Sequence, residues 1–266
     1  VRLGRVGWQV VYELLAVRSR RPEWAFMNYG LVLPDGDPAP RLAPGDEPDR
    51  LAVQVYARTV GPEPLAGREV LEVGSGRGGG SLWVAREHRP RRTVGLDLSA
   101  AAVDLSRRHR RAPGLSFVRG SADALPFPDA AFDAVLNVES SHCYPDLPAF
   151  LAQVRRVLRP GGALLLADFR PADEVPALLA AVRAAGLVVE DEEDVTAGVV
   201  AALDADDARK RALLTAWLGR AARPLLARFA ALRGSSSYEG FRSGRTRYVV
   251  VRARVPGAGG APHTGR

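Results

Sequence analysis

From residue 61 onward, short apolar runs alternate with stretches whose apolar positions recur at helical spacing. The apolar runs predict strands at Glu69–Val73, Thr93–Leu96, Leu115–Val118, Ala134–Val138 and Ala163–Ala167. Leu187–Val189 opens a sixth strand and Tyr248–Val255 supplies a β-branched last one. Between them, helices are predicted at Gly79–Glu87, Ala100–Arg110, Leu147–Leu158 and Glu174–Ala185. Ser99 suits an N-cap, and Arg159-Pro160-Gly161-Gly162 reads as a helix stop and turn. Such alternation predicts an α/β fold with a seven-stranded, mostly parallel sheet covered on both faces. Two further helices, Val6–Arg20 and Asp49–Val60, flank a Pro/Gly/Asp-rich loop from Pro34 to Pro48. A long helical stretch, Val195 to Leu232, separates the last two strands. The expected organisation is a helical lid over 1–60, a core over 61–194, a helical cap over 195–240, the final core strand within 241–255, and a disordered tail over 256–266.

The 266 residues are 47% hydrophobic, enough for one full core with a cap. Apolar runs such as Ala163–Ala167 are too short to cross a bilayer. Near the start, Val10, Val11, Leu14, Leu15 and Val17 are interrupted by Tyr12 and Glu13, which is helical spacing and not a signal-peptide pattern. A single cysteine, Cys143, excludes an intrachain disulfide framework and fits a reducing, cytoplasmic setting. The net charge of +7 is dispersed. Its densest cluster, Arg107, Arg108, Arg110 and Arg111, falls at a predicted helix end, where cations complement the helix dipole. No nucleic-acid partner and no membrane partner is therefore expected, and a homodimer stays open. The acidic run Asp191 to Asp194 lacks the alternation of a calcium loop, and no metal is expected.

The candidate chemistry lies at the predicted carboxyl ends of the strands, where open α/β sheets bind ligands. The first strand runs into Gly74-Ser75-Gly76-Arg77-Gly78-Gly79, a turn that lets a small molecule approach the backbone. Gly74, Gly76 and Gly79 also satisfy the dinucleotide spacing G-x-G-x-x-G. Glu72 weighs against a pyrophosphate and suits the ammonium and sulfonium of S-adenosylmethionine. Asp97 follows the second strand and can accept from both hydroxyls of a ribose, which either cofactor carries. The third and fourth strands are followed by Gly120-Ser121-Ala122-Asp123 and by Asn137-Val138-Glu139-Ser140-Ser141-His142-Cys143-Tyr144.

Taken in order, Leu71–Gly78, Gly95-Leu96-Asp97, Ala124–Asp133 and Leu158–Gly162 resemble the class I S-adenosylmethionine-dependent methyltransferases, over roughly residues 65 to 170. Asn28-Tyr29-Gly30, Glu139–Pro145, Ala167–Arg170 and Arg242-Ser243-Gly244 with Tyr248 resemble, more narrowly, actinobacterial methyltransferases of phthiotriolone and phenolphthiotriolone lipids. Rebeccamycin-type O-methyltransferases of antibiotic pathways are similar. The resemblance implies a Rossmann-like core and a small, hydroxylated natural product as acceptor. It implies that Gly74, Ser75 and Gly76 make room for the methionine and ribose of the cofactor, with Asp97 on the ribose hydroxyls and Leu98 against the adenine. Ser121 and Ala122 would line the adenine edge, although family members more often have an acid before that alanine. Asn137 would approach the methionine end.

An alcohol acceptor must lose a proton, and His142 is the expected general base because imidazole titrates near neutrality. Asp168, after the fifth strand, would orient it, a pairing that rebeccamycin-type enzymes share. Hydrogen bonding of His142 to backbone, and an N-cap or Arg170-paired role for Asp168, are the structural alternatives. Cys143 is expected to be a buried, inert thiol facing away from His142 on an extended segment. His88 and His109 are expected on solvated helix faces. Trp8, Tyr12, Trp24, Phe26 and Tyr29 form an aromatic group, of which Tyr29 is the expected lid residue over the cofactor. Trp217, Phe229, Tyr238 and Phe241 are candidates to line the acceptor pocket. The expected activity is O-methylation. C- or N-methylation, and a cofactor-binding cyclase or regulator without methyl transfer, are the alternatives.

Overall fold

A computed structural model describes residues 24–218 and 227–257. The predicted helix Val6–Arg20, with Trp8 and Tyr12, lies outside the described residues, as do the side chain of Trp217 and residues 258–266 of the tail.

The strands are β1 (Glu69–Val73), β2 (Arg92–Asp97), β3 (Leu115–Arg119), β4 (Phe132–Val138), β5 (Leu158–Pro171), β6 (Val188–Asp194) and β7 (Thr246–Arg254). They form one seven-stranded sheet in the order β3-β2-β1-β4-β5-β7-β6. β1 to β5 pair in parallel, and β7 runs antiparallel between β5 and β6. The helices are α1 (Arg50–Val60), α2 (Gly79–Glu87), α3 (Ala100–His109), α4 (Leu147–Val157), α5 (Val175–Ala184), α6 (Thr196–Leu218) and α7 (Ser236–Arg242). Alternation along the strands divides the core. Val70, Ala134, Leu136 and Leu165 pack on one face with Val53 of α1, Trp83 of α2 and Val199 of α6. Leu71, Val73, Val135 and Leu164 pack on the other with Phe150 of α4 and Leu178 of α5. Burial on both faces explains why β1 is apolar or enclosed at every position. Strand order reverses between β1 and β4, and at such a switch point the diverging connections open a crevice beyond the carboxyl ends.

Ser99 caps α3 by accepting from the Ala102 N–H at 3.2 Å, as its sequence position predicts. The helix stops at Val157, as Arg159–Gly162 predicts, but the segment that follows it is the start of β5 and not a separate turn: the Gly161 N–H donates to Val255 O and the Val255 N–H donates to Gly162 O. The sixth strand opens where the sequence places it and runs on through the acidic run, which forms the outer half of β6. Arginines hold it there: Arg252 on Asp191, Arg247 on Asp194 at 2.8 Å, Arg254 on Glu190 at 3.0 Å and Arg58 on Glu193. An edge strand made of charge also discourages pairing with other chains. His88 is not solvated. Its ring packs edge-on against Trp83 at 5.1 Å, and burial lowers its pKa.

Candidate active site

The turn after β1 is built by glycines in the left-handed region, with φ of +77° at Gly74 and +53° at Gly76. A Cβ on Gly74 would stand 2.3 Å from Ser140 Oγ, so the loop after β4 closes directly on this backbone. The N–H groups of Gly74 and Ser75 donate to Leu96 O at 2.8 and 2.9 Å, tying the turn to β2. Asp97 completes the tie: its Oδ2 accepts from Gly76 N–H at 2.8 Å and its Oδ1 from Ser99 N–H at 2.9 Å. Leu98 beside it is 48% exposed, so its side chain is free to pack against a ligand. Ser121 and Ala122 are half-buried, with Ser121 bridging to Ala124.

Asn137, at the end of β4, is fully buried. Its Nδ2 donates to Val73 O at 3.0 Å, Ser140 Oγ at 2.7 Å and Tyr144 Oη at 3.0 Å. Asn137 Oδ1 and Ser75 Oγ are buried without a hydrogen-bond partner among the described residues. Glu72 lies deeper than expected. It is 1% exposed and enclosed by α1 and α2, accepting from Tyr56 Oη at 2.7 Å and from Ser81 Oγ. Burial pushes its pKa up to about 7, partly offset by the Ser81 and Tyr56 hydrogen bonds. Tyr56 could not be linked to Glu72 from the sequence, since only the packing of α1 brings them together.

His142 sits on a single 3-10 turn, Ser141–Cys143, separated from the end of β4 by Glu139 and Ser140, and Asp168 lies on the adjacent β5. His142 Nδ1 is 2.7 Å from Asp168 Oδ1, and the His142 backbone N–H donates to Oδ2 at 2.9 Å. Asp168 has no exposed surface. Burial opposes its charge, but His142 and Arg170 hold its pKa well below the carboxylate range. For His142, burial would lower the pKa, and the Asp168 charge and hydrogen bond outweigh it, so the imidazole is held above its ordinary value. Of the two alternatives for Asp168, the Arg170 pairing is present alongside the histidine contact, with Arg170 Nη1 3.2 Å from Oδ2, whereas Asp168 caps no helix: Pro171 and Glu174 hold the N-cap positions that follow it. Cys143 is corrected. It is exposed, because the segment is a turn and not an extended strand.

Around the dyad is an aromatic group. Phe169 lies 4.2 Å from the His142 ring, and Tyr29 lies 5.4 Å from Phe169 and 5.5 Å from Phe241. Trp24 instead stacks under Arg77, and Phe26 packs on Tyr56. Tyr238 donates its hydroxyl to Asp204 at 2.8 Å, which ties it to α6. Phe229 is half-buried. The Tyr29 peptide spans the core and the insertion. Its N–H donates to Glu139 Oε1 at 2.8 Å, and its carbonyl accepts from Lys210 Nζ at 3.0 Å. Glu139, missed as a site residue, has φ of +46°, a backbone strain for a residue with a Cβ, and burial pushes its pKa up to about 7. Its signal in the sequence was its place directly after β4. Among the described residues, no cluster of histidine, cysteine or carboxylates could hold a metal, and no helix is long and apolar enough to cross a membrane.

Residues 71–166 match the family described as a methyltransferase domain. The chain is 40% identical over 206 residues to a probable phthiotriol/phenolphthiotriol dimycocerosates methyltransferase of Mycobacterium ulcerans, an alignment covering 77% of this chain and 79% of the relative. It is 43% identical over 178 residues to a fatty-acid O-methyltransferase of Mycolicibacterium smegmatis, covering 66% and 64%. Among solved structures, the cyclase SpnF superposes with a TM-score of 0.70 at 24% identity over 96% of this chain and 98% of that one, a likeness of fold. The ordered motifs, the sheet and these relatives agree, and the chain belongs to the class I S-adenosylmethionine-dependent methyltransferases.

Proposed function

We propose that the protein methylates an oxygen of a hydroxylated polyketide, glycolipid or sugar-bearing secondary metabolite, with His142 as general base. The observation that carries this reading is the buried Asp168 carboxylate bonded to His142 Nδ1 beside the glycine turn. The relatives named for lipid O-methylation and phthiotriol methylation support an apolar, oxygen-bearing acceptor. The aromatic wall of Tyr29, Phe169 and Phe241 favours the same class.

The residues present fit the cofactor. Ser75 Oγ and Asn137 Oδ1 offer two buried, unspent acceptors, and the Gly74–Gly76 turn leaves backbone without side chains. In this reading Asp97 and Leu98 take the ribose and adenine, Ser121 and Ala122 the adenine edge, and Tyr29 closes over them. When bound, S-adenosylmethionine supplies a methyl group already activated by a sulfonium. The chain's own work is alignment, exclusion of water and proton removal. His142 Nε2 takes the acceptor's hydroxyl proton, since Nδ1 is committed to Asp168. Asp168 fixes that tautomer and stabilises the imidazolium formed.

Because Asp168 raises the proton affinity of His142, the base form grows as pH rises above the ordinary histidine value near 6.5. With a hydroxyl acceptor, kcat/KM should therefore climb with pH, its midpoint on the alkaline side of 6.5. A second reading, favoured by the same raised proton affinity and by the fatty-acid relative, is a carboxylate acceptor held by the imidazolium. It predicts the opposite sign, with kcat/KM falling as His142 loses its proton. Assays of a fatty acid, a hydroxylated polyketide and an amine across pH separate these. Intact cofactor binding with no methyl transfer to any acceptor would favour a cyclase or regulator instead.

Glu72 gives an independent check. A cationic cofactor favours the ionised carboxylate, so binding of S-adenosylmethionine should tighten as pH rises through about 7. Calorimetry on Glu72→Gln should show that rise abolished, and an unchanged pH dependence would remove Glu72 from the cofactor site.

A further inference from the structure

We propose that Arg170 is a positioning residue that sets the proton affinity of His142 through Asp168. The inference rests on His142 being the base only for its effect on rate, and its primary test does not require an acceptor.

Asp168 divides its two oxygens. Oδ1 faces His142 Nδ1 at 2.7 Å and accepts from its own neighbour's Phe169 N–H at 2.8 Å. Oδ2 takes the His142 backbone N–H at 2.9 Å, the Ser141 hydroxyl at 2.5 Å and Arg170 Nη1 at 3.2 Å. Arg170 Nη2 donates to Ser141 Oγ at 2.7 Å, so the hydroxyl relays the guanidinium to the same oxygen, and Nη1 also donates to Phe169 O at 2.6 Å. Arg170 is 7% exposed; Nη1 pairs with Asp168 Oδ2 while bonding Phe169 O, and Nη2 reaches the same oxygen only through Ser141. β-Strand alternation explains the placement, since residues 168 and 170 point to the same face of β5.

The physical consequence has a definite sign. Asp168 alone, buried beside an imidazole, would bind the imidazolium so firmly that His142 could rarely act as a base. A guanidinium on the far oxygen shares the carboxylate's charge and limits that rise. The other ionisable groups around His142 do not replace it. Glu139, at the end of β4, adds negative potential, and Cys143 on the same turn adds to the rise. Tyr29 and Tyr248 are held neutral by burial and by the Glu139 and Asp168 charges. Lys210 on α6 spends its ammonium on Tyr29 O and Asp206. Arg228 of the insertion acts on Tyr29.

The test is NMR titration of the full chain with labelled histidines, His142 being assigned by loss of its signal in His142→Gln. Arg170→Gln should raise the His142 midpoint by about one unit, and Asp168→Asn should lower it. Arg170→Lys, which keeps the charge, should titrate near the parent. Ser141→Ala, which removes one donor from Oδ2 without changing charge, should give a smaller upward shift. If Arg170→Gln does not fold, Ser141→Ala decides. Midpoints in Arg170→Gln and Ser141→Ala identical to the parent overturn the proposal. Midpoints that move while the alkaline limb of kcat/KM stays fixed would instead sink the base role of His142 and leave the Arg170 coupling standing.

Discussion

Replacing His142 with alanine is expected to lower kcat for a hydroxyl acceptor by about two to four powers of ten, while the affinity for S-adenosylmethionine stays within about threefold. That loss corresponds to roughly 3–5 kcal/mol of transition-state stabilisation, the usual worth of a positioned base. The split between rate and binding follows from the geometry. His142 bonds to Asp168 and packs on Phe169, and the contacts that shape the glycine turn come instead from Asp97, Leu96 and Ser140. Asp168→Asn should cost nearly as much, because it both misdirects the Nδ1 proton and removes the charge opposite the imidazolium. The two pH profiles differ, however. His142→Ala should flatten the profile, and Asp168→Asn should move its rising limb to lower pH. A His142→Ala enzyme retaining most of its activity would point to an acceptor that needs no base, such as a neutral amine. Single-turnover rates with calorimetry on the same samples separate the two quantities.

Much of this site could be read from the sequence because a parallel sheet turns sequence order into spatial order. His142 and Asp168 follow predicted strands that end side by side, so their meeting needed only the topology. Gly74, Gly76 and Asp97 were legible for the same reason, since β1 and β2 are neighbours. The features that escaped depend on packing between distant elements. Tyr56 reaches Glu72 only when α1 docks on β1, and Glu139 finds Tyr29 across 110 residues of chain. Cys143 was misjudged because a three-residue turn, which follows no periodicity, replaced the extended segment that alternation implies. The start of β6 was legible at Leu187–Val189 but its end was not, because its acidic half carries no apolar alternation and is matched instead by arginines on β7 and α1. Arg170 was visible beside Asp168, but its bond to Ser141, which makes it part of the dyad, was not.

Gly74→Ala should abolish measurable binding of S-adenosylmethionine, weakening it by more than about a hundredfold by calorimetry. Two separate costs act at this position. The backbone sits at φ +77°, where an alanine is strained by about 1–2 kcal/mol. The new methyl would also stand 2.3 Å from Ser140 Oγ and 2.5 Å from Ser140 Cβ, well inside contact distance. The loop after β4 must then retreat. Ser140 cannot move alone, because its hydroxyl is bonded to Val73 O at 3.2 Å and Tyr144 Oη at 2.9 Å, and Asn137 Nδ2 donates to it. Displacing Ser140 therefore opens the network that fixes Asn137 beside the turn, and the next residues carry Ser141 and His142. The double variant Gly74→Ala with Ser140→Gly separates the costs. It removes the Ser140 contacts but keeps the strained φ, the 3.0 Å approach to Tyr144 Oη and the loss of the Ser140 bond to Asn137, so it should recover only part of the binding. Parent-like binding in Gly74→Ala alone, with thermal unfolding showing an intact fold, would mean that the turn does not form the cofactor's bed and that Asp97 and Asn137 must be reassigned with it.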